Sequence, residues 1–118
     1  MERLPELVRS AGIPVTLSVT PVAVPRLLQL TAYRIVQEAL SNVVQHAAAS
    51  RAAVAVRVDG GALVVDVVDD GAARPSVQPG YGLSGMRERA ALVGGTLSAG
   101  PDPGGGFRVH AELPLEAP

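Results

Sequence analysis

The sequence predicts an α+β fold in which a mixed sheet carries helices on one of its faces. Three segments place apolar residues at the spacing of an amphipathic helix, and five segments alternate apolar and polar residues as half-buried strands do. Pairs of strands are interleaved with single helices, which favours a mixed or largely antiparallel sheet. The 118 residues suit one domain, residues 1–118, in which residues 1–14 would serve as a connecting segment.

The N-terminal half predicts the order helix, strand, helix. Leu4–Ala11 has a short apolar stripe and is followed by a glycine that would end the helix, and Val15–Thr20 alternates like a strand. The longest helix is predicted over Leu27–Ala47, because Val36, Leu40 and the apolar residues after them recur on one side.

The C-terminal half begins with a hairpin. Ala53–Val58 and Ala62–Val68 alternate or are rich in valine, and the link Asp59-Gly60-Gly61 is typical of a tight turn. Ala72–Gly80 contains two prolines and has no periodicity, so it is predicted to be a loop. The remaining predicted elements are a helix over Leu83–Val93, a strand beginning over Thr96–Ser98, a turn over Pro101–Gly106 and a strand over Phe107–Leu113.

Composition excludes several classes of protein. Cysteine is absent, so a disulfide framework, a thiolate nucleophile and a cysteine-bound zinc are impossible. All ten basic residues are arginine, which rules out the lysine of a Walker A loop or of a Schiff base. A net charge of −1 gives no basic field for nucleic acid. No apolar run approaches the roughly 20 residues of a membrane span and no signal peptide is present, so we expect a cytoplasmic domain without direct membrane contact, although a longer parent could be membrane-anchored.

A row of polar residues follows the side of the longest predicted helix. Arg34, Glu38, Asn42 and His46 are spaced four apart, which places them in one slowly drifting row. Carboxylate and amide oxygens one turn apart are a common combination around hydrated Mg²⁺. A plain solvated helix face is the alternative, because such rows are frequent.

Glycines open the next predicted helix. The stretch from Gly80 through Gly82 to Gly85 fits G-x-G-x-x-G, but a dinucleotide site would need a strand directly before the first glycine. A proline-containing loop precedes it here, which disfavours that interpretation. Backbone N–H groups at a helix N-terminus can still bind phosphate, and a flexible loop with a glycine-capped helix is the alternative.

Two further motifs are weak when taken alone. Asp69-Asp70-Gly71 ends a strand, where a carboxylate can accept a hydrogen bond from an exocyclic amine, although an ordinary Asp-Gly turn is the simpler interpretation. The stretch Gly104–Gly106 is compatible with a tight hairpin or with a close approach of the backbone to another group.

The order of these motifs along the chain is more specific than any of them. The polar row, the Asp69-x-Gly71 turn, Gly80-x-Gly82-Leu83 and the last glycine-rich turn together resemble the N, G1, G2 and G3 boxes of the GHKL ATPase family. The stretches YRIVQEALSNVVQHA and GYGLSGMRERAALVGG are most similar to sensor histidine kinases of the NarL/DesK type, whose dimerisation segment is of the HisKA_3 class. The resemblance implies the Bergerat fold, a two-layer α/β sandwich.

The resemblance also implies the cofactors ATP and Mg²⁺ and a role for each motif residue. Asn42 would ligate the metal, Glu38 would approach it through water or orient or deprotonate the attacking group, and His46 would lie near the phosphates. Asp69 would bind the adenine amine, and Gly71 would let the ring approach. The other implied contacts are phosphate contacts from Gly80, Gly82 and Leu83, and support of the adenine pocket by Gly104 and Gly106.

The sequence departs from the family pattern at three positions. Ala73 stands where the G1 box has a second glycine, Gln45 stands where a basic residue is frequent, and Phe107 replaces a frequent threonine. Ala73 therefore affects the tight closure of the adenine turn. Gln45 would remove one phosphate contact, and Phe107 would remove one hydroxyl contact.

The function that the resemblance implies is the ATP-binding catalytic domain of a sensor histidine kinase. It would supply the γ-phosphoryl group to a His on a separate dimerisation domain of the same parent, for relay to a NarL-type response regulator. These 118 residues contain no acidic helical segment with such a His, so we expect a monomeric fragment that does not phosphorylate itself. The alternatives are an anti-sigma-factor serine kinase of the same superfamily and a non-catalytic nucleotide-binding module, which Ala73 and Gln45 would favour.

Overall fold

A computed structural model describes residues 3–20, 23–46, 49–71 and 82–116, with only the backbone of His46. The described part contains three helices and five strands in the predicted order. In chain order the elements are α1 (Leu4–Arg9), β1 (Val15–Val19), α2 (Arg26–His46), β2 (Ala52–Asp59), β3 (Ala62–Asp69), α3 (Leu83–Leu92), β4 (Thr96–Pro101) and β5 (Phe107–Pro114).

The five strands form one mixed sheet with the spatial order β1-β2-β3-β5-β4. Strand β1 runs parallel to β2, and the other three pairs are antiparallel. The parallel pair follows from α2, because two parallel neighbours need a long crossover connection between them. Strand β5 lies between β3 and β4, so the last hairpin brings its turn beside the end of β3.

The tight turn between β2 and β3 confirms the predicted hairpin. Asp59 pairs with Ala62, so Gly60 and Gly61 alone form the loop. Their φ angles are 58° and 80°, and a two-residue turn of this hand needs positive φ at both positions.

All three helices are packed on the same face of the sheet, as predicted. The residues of β3 that point to this face include Leu63, Val65 and Val67, and all three are buried in one core cluster with the helices. Helix α2 packs on β2 and β3, α3 packs on β4 and β5, and α1 packs on β1. Leu4 and Val8 bury α1 in the same core. The predicted two-layer α+β architecture is confirmed.

Strand β4 is longer than the sequence pattern indicated. It continues past Ser98 to Pro101, which pairs with Phe107, so the turn occupies only the residues between these two. Strand β4 lies at the edge of the sheet, where a proline removes no ladder hydrogen bond that a neighbour requires.

The face of the sheet opposite the helices carries a network of charged side chains around Asp66. Its carboxylate accepts hydrogen bonds from Arg57 Nη1 at 3.0 Å, Arg108 Nε at 2.9 Å and His110 Nδ1 at 2.7 Å. The other ring nitrogen of His110 lies 2.9 Å from Glu112 Oε2. These side chains cover Asp66, which is only 7% exposed although none of the described helices lies above it.

Burial and hydrogen bonding act in opposite directions on this network. Burial raises the pKa of Asp66. The hydrogen bonds from His110, Arg57 and Arg108 together lower it by more than burial raises it, so the pKa lies below its usual value of 3.8. Burial lowers the pKa of His110, but its bonds to Glu112 and Asp66 raise it above the usual 6.5. The network therefore favours an ionised Asp66 beside a protonated His110.

Candidate functional site

Helix α2 presents the predicted polar row beside the end of the sheet. Its core-facing side includes Val36, Leu40 and Val43, all buried. On the adjoining side Glu38 is exposed and Asn42 is half-buried, one helical turn apart. Asn42 is therefore the less exposed of these two residues of the row.

Asn42 and Asp69 lie in the wall of one pocket between α2 and the sheet. Asp69 is the last residue of β3 and is only 4% exposed, on the helix-covered face. The folded chain thus brings together two predicted site residues from segments that are distant in sequence. The pocket is otherwise apolar, and its full lining is Ala39, Asn42, Val43, Val67, Asp69, Phe107 and Val109.

The Asp69 carboxylate is oriented by the turn that follows it. The backbone N–H of Gly71 donates to Asp69 Oδ1 at 2.8 Å. The backbone of Asp69 is paired with Ala52 on one side and Phe107 on the other, so both neighbouring strands fix its position. An acceptor held in this way by strand pairing and a buried turn has few orientations available.

Gly106 lies directly against the backbone of Asp69. A Cβ built on Gly106 would lie 1.9 Å from the Asp69 carbonyl oxygen, and φ at Gly106 is +88°. No other residue fits this approach without moving one of the two segments. Gly104 has a different environment, because its N–H donates to Asp102 Oδ2 at 3.1 Å within the turn.

The N-terminus of α3 lies beside Glu38. Gly82 caps the helix with φ +70°, and a Cβ there would lie 2.2 Å from Glu38 Oε1. Leu83 begins the helix, and its side chain is buried in the core. The structure therefore brings Gly82 and the first turn of α3 next to the carboxylate that the sequence assigned to the same site.

Two arginines complete a second pocket that sequence reasoning did not assign. This pocket of about 220 Å³ lies between α2 and α3, and Arg34, Glu38 and Arg89 face it from the two helices. Arg34 is one turn before Glu38 in the polar row, which was the available signal. Arg89 lies in another element, so only the packing of α3 on α2 reveals it.

Some predicted residues are not tested by this geometry. Gly80 and Ala73 lie outside the described residues, as does the predicted loop Ala72–Gly80, and the structure gives no side chain for His46. Gln45 is exposed, and its amide donates to Ser41 Oγ at 3.1 Å. Phe107, where the family often has threonine, is buried and forms one wall of the Asp69 pocket.

The oxygen donors present fit a Mg²⁺ ion that is shared with a ligand. Within residues 3–20, 23–46, 49–71 and 82–116, no three His, Asp or Glu side chains cluster as a metal cage. Glu38 and Asn42 supply one carboxylate and one amide one turn apart on α2. Mg²⁺ usually keeps several waters and takes one or two protein oxygens plus phosphate oxygens, so this sparse donor set suits a nucleotide-bound ion.

Comparison with known proteins identifies the class. The sequence model of the histidine kinase-, DNA gyrase B- and HSP90-like ATPases matches residues 28–117. The chain belongs to this ATPase family, as the motif order predicted. The match covers both pockets and every described motif residue.

Similar individual proteins are sensor histidine kinases. Sensor histidine kinase YxjM of Bacillus subtilis is 44% identical over 85 residues, which are 72% of this chain and 21% of that protein. The histidine-protein kinase/phosphatase UhpB of Salmonella typhimurium is 40% identical over 88 residues, 73% of this chain and 17% of UhpB. The chain therefore spans about a fifth of the length of these curated relatives.

A solved structure supports the same class. The blue-light activated histidine kinase of Erythrobacter litoralis EL346 superposes with a TM-score of 0.82 at 25% identity, over 97% of this chain and 41% of that one. None of the helices in the described part of the chain combines the length and apolar character needed to cross a bilayer.

Proposed function

We propose that this chain is the ATP-binding catalytic domain of a sensor histidine kinase. The observation that carries the proposal is the pocket that Asp69 and Asn42 line together with apolar side chains. A carboxylate acceptor among apolar lining residues suits a flat ring with an exocyclic amine, and the pocket, about 10 Å³ in volume, would have to widen to admit that ring. Oxygen donors along α2 suit the polyphosphate and its metal.

Adenine would bind against Asp69. Its amine would donate to the buried carboxylate, while Phe107 and Val109 would contact the apolar ring. Gly71 and Gly106 would keep the carboxylate in place, the first through its N–H and the second by allowing close backbone packing. Burial strengthens such a polar contact, because water competes less for the carboxylate.

The phosphates would lie between α2 and α3. The N-terminus of α3 at Gly82 and Leu83 offers backbone N–H groups and the positive end of the helix dipole. Arg34 and Arg89 would add positive charge from the pocket between these helices. Asn42 would ligate Mg²⁺, with Glu38 reaching it through water; the bound ion would neutralise charge on the phosphates.

Glu38 would orient the attacking imidazole or accept its proton. Its side chain is exposed at the rim of the pocket, where a His on another domain can approach it. Phosphoryl transfer depends mainly on positioning and charge neutralisation, which matches a site without a nucleophile of its own. The acceptor would be a His on the parent's dimerisation domain, followed by a NarL-type response regulator, with this domain monomeric and in the cytoplasm.

The relatives described above favour this function over the two alternatives. YxjM and UhpB are both named as histidine kinases. The exposed Gln45 and the buried Phe107 leave the Asp69 pocket intact, so neither departure argues against nucleotide binding.

Calorimetric titration with ATP tests the assignment. We expect Asp69→Asn to weaken binding about 10- to 100-fold with or without Mg²⁺, because a buried charged acceptor is replaced. Asn42→Ala should leave metal-free binding nearly unchanged and remove most of the enhancement by Mg²⁺. Gln45→Ala is the matched control on the same helix. Wild-type affinity in both site variants, with and without metal, would contradict the proposed function.

A further inference from the structure

The carboxylate next to Asp69 has no role in the proposed reaction, yet it is the most fully hydrogen-bonded of the exposed acids described. Asp70 Oδ1 accepts the backbone N–H of Ser50 at 2.9 Å and that of Arg51 at 3.0 Å. The Ser50 hydroxyl donates to Asp70 Oδ2. Three donors from two consecutive residues therefore converge on one side chain.

These contacts join two segments that carry different parts of the site. Residues 49–51 follow α2, the helix of Asn42, and lead into β2, whereas Asp70 follows Asp69 at the end of β3. The backbone N–H of Asp70 also donates to the Arg51 carbonyl at 3.3 Å, which extends the β2–β3 ladder by one pair. Asp70, the residue after Asp69, is thus held through both its backbone and its side chain.

We propose that Asp70 is a positioning residue that holds the Asp69 carboxylate in the direction required to select adenine. This inference rests on the proposed function. The Gly71 N–H donates to Asp69 Oδ1, and Asp70 is the residue between them. The position of Asp70 therefore determines the direction of the Asp69–Gly71 turn. Without the side-chain contacts to Ser50 and Arg51, only the hydrogen bond from the Asp70 N–H to the Arg51 carbonyl would connect the turn to β2 beyond the last strand pair.

The ionisation of Asp70 is compatible with a permanent structural contact. The hydrogen bond from the Ser50 hydroxyl, followed by that from the Arg51 backbone, lowers the pKa of Asp70 to about 2. The carboxylate therefore stays charged across the pH range in which the protein would act. The Arg51 guanidinium, with Nε 3.6 Å from Oδ2 and a side chain that is 78% exposed, contributes little to this contact.

Nucleotide selectivity separates positioning from simple stabilisation. Inosine triphosphate has a 6-oxo group where ATP has the amine that Asp69 would bind. We expect Asp70→Ala to lower ATP affinity about tenfold, the size of one weakened hydrogen bond to a charged group, while inosine triphosphate affinity changes less than about twofold. Asp70→Asn keeps an acceptor for the backbone N–H groups and should restore most of the ATP preference.

Matched variants and a stability measurement make the result decisive. Arg51→Ala removes the exposed guanidinium but keeps the backbone N–H, so it should behave like wild type. Ser50→Ala should produce a smaller loss of ATP preference than Asp70→Ala. Thermal unfolding of each variant sets a temperature at which all are folded, and titrations are made below it.

Each outcome bears on one claim. An equal loss of affinity for both nucleotides in Asp70→Ala, or no loss for either, overturns the positioning role. If Asp69→Asn weakens ATP binding while Asp70→Ala does not, only this inference fails. If Asp69→Asn itself has no effect, the proposed function fails as well.

Discussion

Strand β3 carries two buried aspartates, Asp66 and Asp69, that point to opposite faces of the sheet. Asp66 lies on the face of the sheet opposite the helices, called the open face below, where the basic side chains of Arg57, Arg108 and His110 cover it. Asp69 lies on the helix-covered face, in an apolar pocket that it shares with Asn42. Both are under 10% exposed, so burial alone does not distinguish them.

The surroundings of the two carboxylates indicate a structural role for Asp66 and support the proposed ligand-binding role of Asp69. Asp66 is paired with side chains of its own sheet, and a carboxylate so compensated offers little to a ligand. Asp69 is instead placed at the wall of a cleft, with a backbone N–H fixing its orientation. A buried acid beside a pocket with apolar walls is the more informative signal of a binding site.

Shifted pKa values by themselves do not single out the face that carries the pocket of Asp69. The shifts of Asp66 and His110 arise within the network on the open face, away from the pocket of Asp69. Ion networks that stabilise structure perturb pKa values as active sites do, so the geometry of the cleft must decide. Each prediction below separates the two faces by asking whether a change affects stability, nucleotide affinity or both.

The largest effect on stability should come from Gly106, which packs against the end of β3 at Asp69. Gly106→Ala would force a Cβ to 1.9 Å from the Asp69 carbonyl oxygen at a φ of +88°. We expect a loss of roughly 3 kcal/mol or more in the free energy of unfolding. ATP affinity should also fall in the molecules that remain folded. Urea unfolding and calorimetric titration measure the two quantities.

Gly105 provides the matched control. Its φ is +92°, but a Cβ there would meet nothing within 4 Å. Gly105→Ala should therefore cost only the backbone strain of about 1–2 kcal/mol and leave ATP affinity unchanged. Equal effects of the two substitutions would show that the packing of Gly106 on Asp69 is unimportant.

Substitution of Asp66 on the open face should change stability but not ATP affinity. Asp66→Ala leaves three basic groups without their shared acceptor, but Arg57 and Arg108 can turn to water because each side chain is about 40% exposed. We expect the free energy of unfolding to fall by about 2 kcal/mol, with ATP affinity unchanged at a temperature where the variant is folded.

Asp69→Asn gives the reverse pattern and completes the comparison. Its main effect should be on ATP affinity, with a smaller loss of stability than Asp66→Ala, because the amide retains an oxygen that can accept the Gly71 N–H. If Asp66→Ala weakened ATP binding as strongly as Asp69→Asn does, the division of roles between the two faces would be wrong.

Local patterns along the chain were sufficient to predict the fold. Most strands alternate apolar and polar residues, β3 is rich in valine, and Gly60-Gly61 predicts a tight hairpin. The element order and the mixed sheet therefore followed from the sequence. Several boundaries shifted by one or two residues, such as the end of α1 at Arg9, and the largest shift is at the end of β4, where pairing with β5 continues the strand to Pro101. Periodicity within a segment does not contain that information, because the partner strand supplies it.

The site was predictable only where its residues belong to a motif. Asn42 and Asp69, which line one pocket, were predicted because their residue types and order along the chain resemble a family pattern. Arg89 and the side-chain contacts of Asp70 were not found, because each depends on packing between elements that are distant in sequence. The same applies to Asp66, where register alone brings Arg57 and Arg108 to one carboxylate.

The smallest effect concerns pH and the open face. The pKa of His110 is raised by Glu112 and Asp66 against the effect of burial, so protonated His110 stabilises the fold. A raised pKa means that this contribution is complete below the unfolded-state value of 6.5 and is lost as pH rises through the folded-state value. Asp66 has a lowered pKa, so its contribution is lost only in acid, below 3.8.

Unfolding by urea between pH 5.5 and 9 isolates the histidine. We expect wild type to lose about 0.5 kcal/mol across this range and His110→Gln to lose much less, because glutamine does not titrate. ATP affinity should show no corresponding step, since His110 lies on the face opposite the pocket of Asp69. A step in ATP affinity that disappears in His110→Gln would mean that the two faces are energetically coupled through β3, and the separation between Asp66 and Asp69 would have to be abandoned.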